Sequence, residues 1–111
     1  METPVVTPTS PATTAPGVTL RIAALYLRFD ESALSASAGR DITVQFSNCE
    51  NGTPHNVHFF VGPDASGRSL AASAIEPGPV EQKIPLGALP AGLYYFKCDV
   101  HATMDGTLTV G

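Results

Sequence analysis

No run in this 111-residue chain approaches the roughly 18 consecutive apolar residues that a membrane-spanning helix requires. Basic residues are scarce as well: six Lys and Arg stand against ten Asp and Glu, and they are scattered. Nucleic-acid binding calls for clustered cations, so that class is excluded. The first 17 residues lack the basic start and apolar core of a signal peptide. The expectation is a mature exported domain, or a chain whose Met1 stands in place of such a segment. A long helical period is missing, and two cysteines alone do not define a compartment.

What is present suits a turn-rich β protein. Ten Pro, ten Gly and 43% hydrophobic content favour a single domain, and a chain of this size can bury roughly two-thirds of its unfolded surface. Residues 1 to 17 are Pro, Thr, Ala and Val with no apolar period, which reads as an extended tail or linker. From Val18 the pattern alternates: Val18, Leu20 and Ile22, then Leu25, Leu27 and Phe29, read as strands. Ser32 to Gly39 reads as a loop or irregular edge with room for one helical turn. Ile42, Val44 and Phe46 form the cleanest half-buried strand, and Asn56 to Val61 forms another. For Leu70 to Ile75, periodicity leaves strand and short helix both open. Val80 to Ile84, Leu93 to Cys98 and Thr107 to Val110 complete the set. Seven or eight short strands separated by turn signals predict an all-β, two-sheet Greek-key sandwich over residues 18 to 111.

The chemistry concentrates late in the chain. Cys98, His101 and Met104 stand at the spacing Cys-x2-His-x2-Met. Soft sulfur donors beside an imidazole select copper over calcium or magnesium, and one thiolate with two imidazoles and a weak axial Met is an electron-transfer copper set. A free buried Cys is commonly inert, but a His and a Met three and six residues on favour ligation. The second imidazole comes from His55 in Pro54-His55-Asn56-Val57-His58-Phe59. Because strand side chains alternate, His55 and His58 face opposite sides, and only one can serve the site. His55 is favoured by its place after Pro54 at a loop end, leaving His58 as a hydrogen-bonded structural ring. Tyr94, Phe96 and Cys98 share one strand face, so both aromatics lie beneath the thiol. Tyr94 also suits a tyrosine corner.

Together these motifs resemble the cupredoxins, small type 1 blue copper proteins of the plastocyanin, azurin and amicyanin kind, with the short last loop most similar to amicyanin. The resemblance implies copper bound by His55, Cys98, His101 and Met104 and cycling between Cu(II) and Cu(I). It implies that Asn56 braces the ligand loop from behind, and that His101, the ligand nearest solvent, is the electron port. Val100 and Ala102 flank His101 where relatives often carry proline, so a less rigid loop is expected. Cys49 is left over; a Cys49 to Cys98 disulfide would abolish the site.

An electron carrier is therefore expected, with a copper carrier or a non-redox scaffold as the alternative. Enzymes with cupredoxin domains use extra histidines beside the ligand Cys, whereas Lys97 and Asp99 flank Cys98 and the chain has three His in all. The partner is expected to be a transient redox protein, a cytochrome or an oxidase domain, docking on a monomer at the His101 end. There Pro54, Val100 and Ala102 form an apolar rim near Glu50, Asp99 and Asp105. The expected location is extracytoplasmic, such as a periplasm, with the tail as a possible membrane tether.

Overall fold

The structure, a computed structural model, describes residues 17–111. The expected tail at 1–17 lies outside the described residues except for Gly17. All regular structure among the described residues is β. In chain order the strands are β1 (Val18–Leu25), β2 (Arg28–Phe29), β3 (Ala33–Ala36), β4 (Asp41–Asn48), β5 (Pro54–His55) and β6 (His58–Val61). They continue with β7 (Ser69–Ala72), β8 (Glu76–Pro77), β9 (Val80–Ala88), β10 (Gly92–Lys97) and β11 (Asp105–Val110). One sheet runs β2-β1-β4-β9, the other β3-β11-β10-β6-β7, and β5 pairs with β8 in a small ladder at one end. This is the two-sheet sandwich that the alternating pattern predicts.

The core follows from the period-two burial of three strands. Ile42, Val44 and Phe46 of β4 face Tyr94 and Phe96 of β10 and Leu108 and Val110 of β11, and all are buried. Phe96 packs against Phe59 and Phe29, with ring centroids 5.6 Å apart in each pair. The fully buried rings of Phe59 and Phe96 are each worth roughly 1.5–3 kcal/mol of burial. A Cβ at Gly106 would run into the Phe96 ring and the Ser32 carbonyl, so only glycine lets β11 pass this close. The Tyr94 hydroxyl donates to the Pro90 carbonyl at 2.6 Å, the predicted tyrosine corner.

Three expectations are corrected. The second alternating run, Leu25 to Phe29, is a tight hairpin: Tyr26 and Leu27 turn with φ of 55° and 57°, and β2 keeps only two residues. Both residues point outward, so alternation there does not mark a buried face. Ser32 to Gly39 carries a strand, β3, because parallel pairing with β11 satisfies its backbone. The strand predicted over Asn56 to Val61 begins at His58; just before it the Val57 amide donates to the Ser73 hydroxyl instead of to a ladder carbonyl. At Leu70 to Ile75 the open choice resolves as strand β7.

Candidate metal centre

Two connections at one end of the sandwich build the site. The first links β4 to β5 and is organised by Asn48. Its side-chain amide donates to the carbonyls of Thr53 (2.9 Å) and Glu76 (3.0 Å), and its Oδ1 accepts from the Glu50 amide at 3.0 Å. Gly78 packs against the same connection, where a Cβ would overlap the carbonyls of Asn48 and Glu50. The result presents His55 wholly inside the protein.

The second connection runs from β10 to β11. Cys98 continues the inward face of Tyr94 and Phe96 and is fully buried. The chain then folds back: the Cys98 amide donates to the Met104 carbonyl at 2.9 Å, and the Met104 amide donates to the His101 carbonyl at 3.0 Å. This curl holds Met104 buried and leaves His101 half-buried.

The donor atoms converge. Cys98 Sγ lies 3.8 Å from His55 Nδ1 and 3.7 Å from His101 Nδ1, and the two rings stand 4.8 Å apart. The three ligating atoms all lie within 4.8 Å of one another. First-row metal bonds of about 2.0 Å to nitrogen and 2.3 Å to sulfur, opened to about 120°, would separate N from S by about 3.8 Å. The spacing therefore fits a single shared ion, and two imidazoles with a thiolate favour copper.

His55 has its other nitrogen fixed. Nε2 lies 2.8 Å from Glu50 Oε1, and the same oxygen accepts from the Leu27 amide at 2.9 Å. The carboxylate makes Nε2 the protonated nitrogen and leaves the Nδ1 lone pair aimed at the thiol, as metal-binding histidines require. The bond from His55, then that from Leu27, hold the Glu50 carboxyl below the ordinary glutamate range.

Asn56 is bonded to the last loop. Its Oδ1 accepts from the Asp99 amide at 2.8 Å, and its Nδ2 donates to Asp99 Oδ2 at 2.9 Å. Phe96 and Cys98 both belong to the buried core. His58 lies apart from the donor cluster, its ring between Asp99 Oδ2 at 3.0 Å and Ser69 Oγ at 2.7 Å. Partial burial pushes the Asp99 pKa up, yet the bonds from Asn56 and His58, with Lys97 nearby, outweigh it and hold the carboxyl below the ordinary aspartate range. Cys49 and Cys98 are both free thiols, Cys49 exposed, so no disulfide competes for the site.

Glu50, Asn48 and the Ser69 and Ser73 contacts were not legible as site residues. Glu50 counts in the sequence only as a surface acid; its position five residues before His55 is the one available signal. Asp99 reads as a mere flank of Cys98, although its adjacency to the thiol is a signal for loop bracing.

Comparisons with known proteins agree with this arrangement. No curated protein matches the chain. Among solved structures, auracyanin from the photosynthetic bacterium Roseiflexus castenholzii superposes with a TM-score of 0.76 at 22% identity, covering 87% of this chain and 99% of that one. Auracyanin A from Chloroflexus aurantiacus, described as a "blue" copper protein, gives 0.74 at 24%, covering 87% and 100%. A mutant of amicyanin in its reduced Cu(I) form gives 0.64 at 23%, covering 90% and 88%. These likenesses establish the fold. The sequence profile of the copper binding proteins of the plastocyanin/azurin family matches residues 17–111, the whole of the described domain. The chain belongs to that family, the cupredoxins.

Proposed function

We propose that this protein is a mononuclear type 1 copper electron carrier, with copper held by His55, Cys98, His101 and Met104. The observation that carries the reading is the convergence of two imidazole nitrogens and one thiol within 4.8 Å at the end of a rigid sandwich. Bound copper would supply a one-electron Cu(II)/Cu(I) couple. The chain's own part is to hold the donors still. His55 is locked by Glu50, Cys98 is buried at the end of β10, and Met104 is pinned by the loop curl. A donor set held by the fold changes little between oxidation states, which keeps reorganisation small.

His101 is the port, because it alone of the four is not fully buried. Around it Pro54, Val100 and Ala102 are exposed, a small apolar rim with Glu50 and Asp99 close behind. The partner we infer is a cytochrome or an oxidase domain with a basic collar, binding a monomer transiently at this end in an extracytoplasmic compartment. Residues 1–17 are a tail or linker ahead of the domain at 18–111. Of the three His in the whole chain only His58 remains beyond this site, too few for a second catalytic copper, which favours a carrier over an enzyme.

The test is a visible absorption spectrum after addition of Cu(II), for the natural chain and for Cys98→Ser. An intense blue or green band lost in the variant, with a reversible potential, supports the carrier. A natural chain that stays colourless, and is shown to hold no Cu(I), would sink the reading. A band without reversible cycling, with copper readily taken by a chelator, would make the protein a copper carrier.

A further inference from the structure

The ligand loop lacks proline between Cys98 and Met104, so no proline ring restrains its backbone and any restraint must come from its contacts. Asp99 supplies the attachment. Its amide donates to Asn56 Oδ1 (2.8 Å), and its carboxylate accepts from Asn56 Nδ2 (2.9 Å) and from His58 Nδ1 (3.0 Å). Asn56 is buried and cannot adjust freely; His58 is the outer jaw of this clasp.

His58 is itself held from three sides. Its ring stacks on Phe60 with centroids 4.1 Å apart and planes 26° apart. Its Nε2 is bonded to Ser69 Oγ at 2.7 Å. Asp99 Oδ2, 3.0 Å from Nδ1, is the third side, and Lys97, the cross-strand neighbour of His58 on β10, lies 3.9 Å from Asp99 Oδ1. The Ser69 contact depends on an irregularity. In the β6–β7 pair the register shifts between Phe59 and Phe60, so that Ser69 and not Leu70 stands opposite Phe60. A bulge re-aims the side chains beyond it. An unshifted ladder would set apolar Leu70 on this outer face where His58 needs a hydroxyl.

We propose that His58 is a positioning residue for the copper loop: held by Ser69 and Phe60, it fixes the Asp99 carboxylate and thereby the backbone that leaves Cys98. The edge strand β7 is thus linked to the metal end through four side chains, Ser69, His58, Asp99 and Asn56, which do the work that proline would do in a stiffer loop. The role rests on the copper-carrier reading, but its structural half stands in the copper-free protein.

The experiment uses the full chain with His58→Phe, which keeps a ring on Phe60 and removes both hydrogen bonds, and the milder Ser69→Ala. In copper-free protein, hydrogen exchange at the Asp99 and Cys98 amides should quicken about tenfold in His58→Phe, as loss of a partly exposed charge-assisted bond allows. Ser69→Ala should show a smaller rise at the same amides. Exchange at Val44 and Phe46 in β4 should not change. In copper-loaded His58→Phe the visible band persists, while copper passes to a chelator about tenfold faster. Adding His58→Phe to Asp99→Ala should change nothing further. The proposal is overturned if the Asp99 and Cys98 amides stay within about twofold of the natural chain, or if β4 amides quicken equally, which marks general destabilisation. A natural chain with no visible band would sink the copper reading while leaving the amide measurement intact.

Discussion

His55 and His101 present the same atom, Nδ1, to one thiol at nearly equal distances, 3.8 and 3.7 Å, yet they live in opposite surroundings. His55 is fully buried, follows a connection organised by Asn48, and has its far nitrogen on Glu50. His101 rides a curl whose neighbours Val100 and Ala102 are exposed. The contrast divides the site: one histidine belongs to the fold, and the other stands toward the surface, at the proposed docking face.

The sharpest way to break this contrast is to truncate each ring in copper-free protein. His55→Ala should cost about 3 kcal/mol, because it opens a buried cavity and leaves the Glu50 carboxylate without its partner. His101→Ala should cost under about 1 kcal/mol, as for other partly exposed positions. Chemical denaturation of the two variants measures the difference; equal losses would mean that both rings serve the fold.

Glu50→Gln sharpens the same contrast from behind. It weakens the hold on the His55 tautomer, and copper affinity should fall about 10- to 100-fold, the usual cost of removing the group behind a metal-bound histidine. Competition titration with a chelator reads this, and an unchanged affinity would show that burial alone orients the ring.

Acid should act on the same groups. The folded-state pKa values of Glu50 and Asp99 lie below their ordinary values. Each carboxylate therefore contributes stability that is complete above the ordinary carboxylate range and is lost as pH falls through its lowered pKa. Denaturation of copper-free protein from neutral to acid pH should show a decline that is shallower in Glu50→Gln. A parallel decline in the variant would remove Glu50 from the account.

The smallest effect belongs to the rim. Val100, 46% exposed, can become Ser at under about 0.5 kcal/mol of stability. The association rate with a redox partner should nevertheless drop, and a rate identical to that of the natural chain would place docking elsewhere. Raising salt should slow association if acidic groups steer the encounter.

Much of this was legible in the residues. Alternation in Val18 to Ile22, Ile42 to Phe46 and Tyr94 to Cys98 marks buried strand faces, because a sheet with one wet side imposes period two. It misleads at Leu25 to Phe29, where apolar residues sit on a turn. Pairing to β11 makes Ala33 to Ala36 a strand although its composition is that of a loop. The His58 assignment stands, but for a different reason: the chain is broken at Asn56 and Val57, so simple strand alternation is not what turns His58 away from His55.

Residue types and spacing already define the chemistry of this protein. A thiol, an imidazole and a thioether within seven residues, with a second imidazole after Pro54, define a soft donor set whatever the fold around them. Folding adds which nitrogen of His55 faces the thiol, that Glu50 stands behind it, and that His58 grips Asp99 from the neighbouring strand. Those contacts join residues as far as 43 positions apart. Local propensity and spacing carry no record of such distant pairs, because they arise only when separate strands and loops meet in the folded chain.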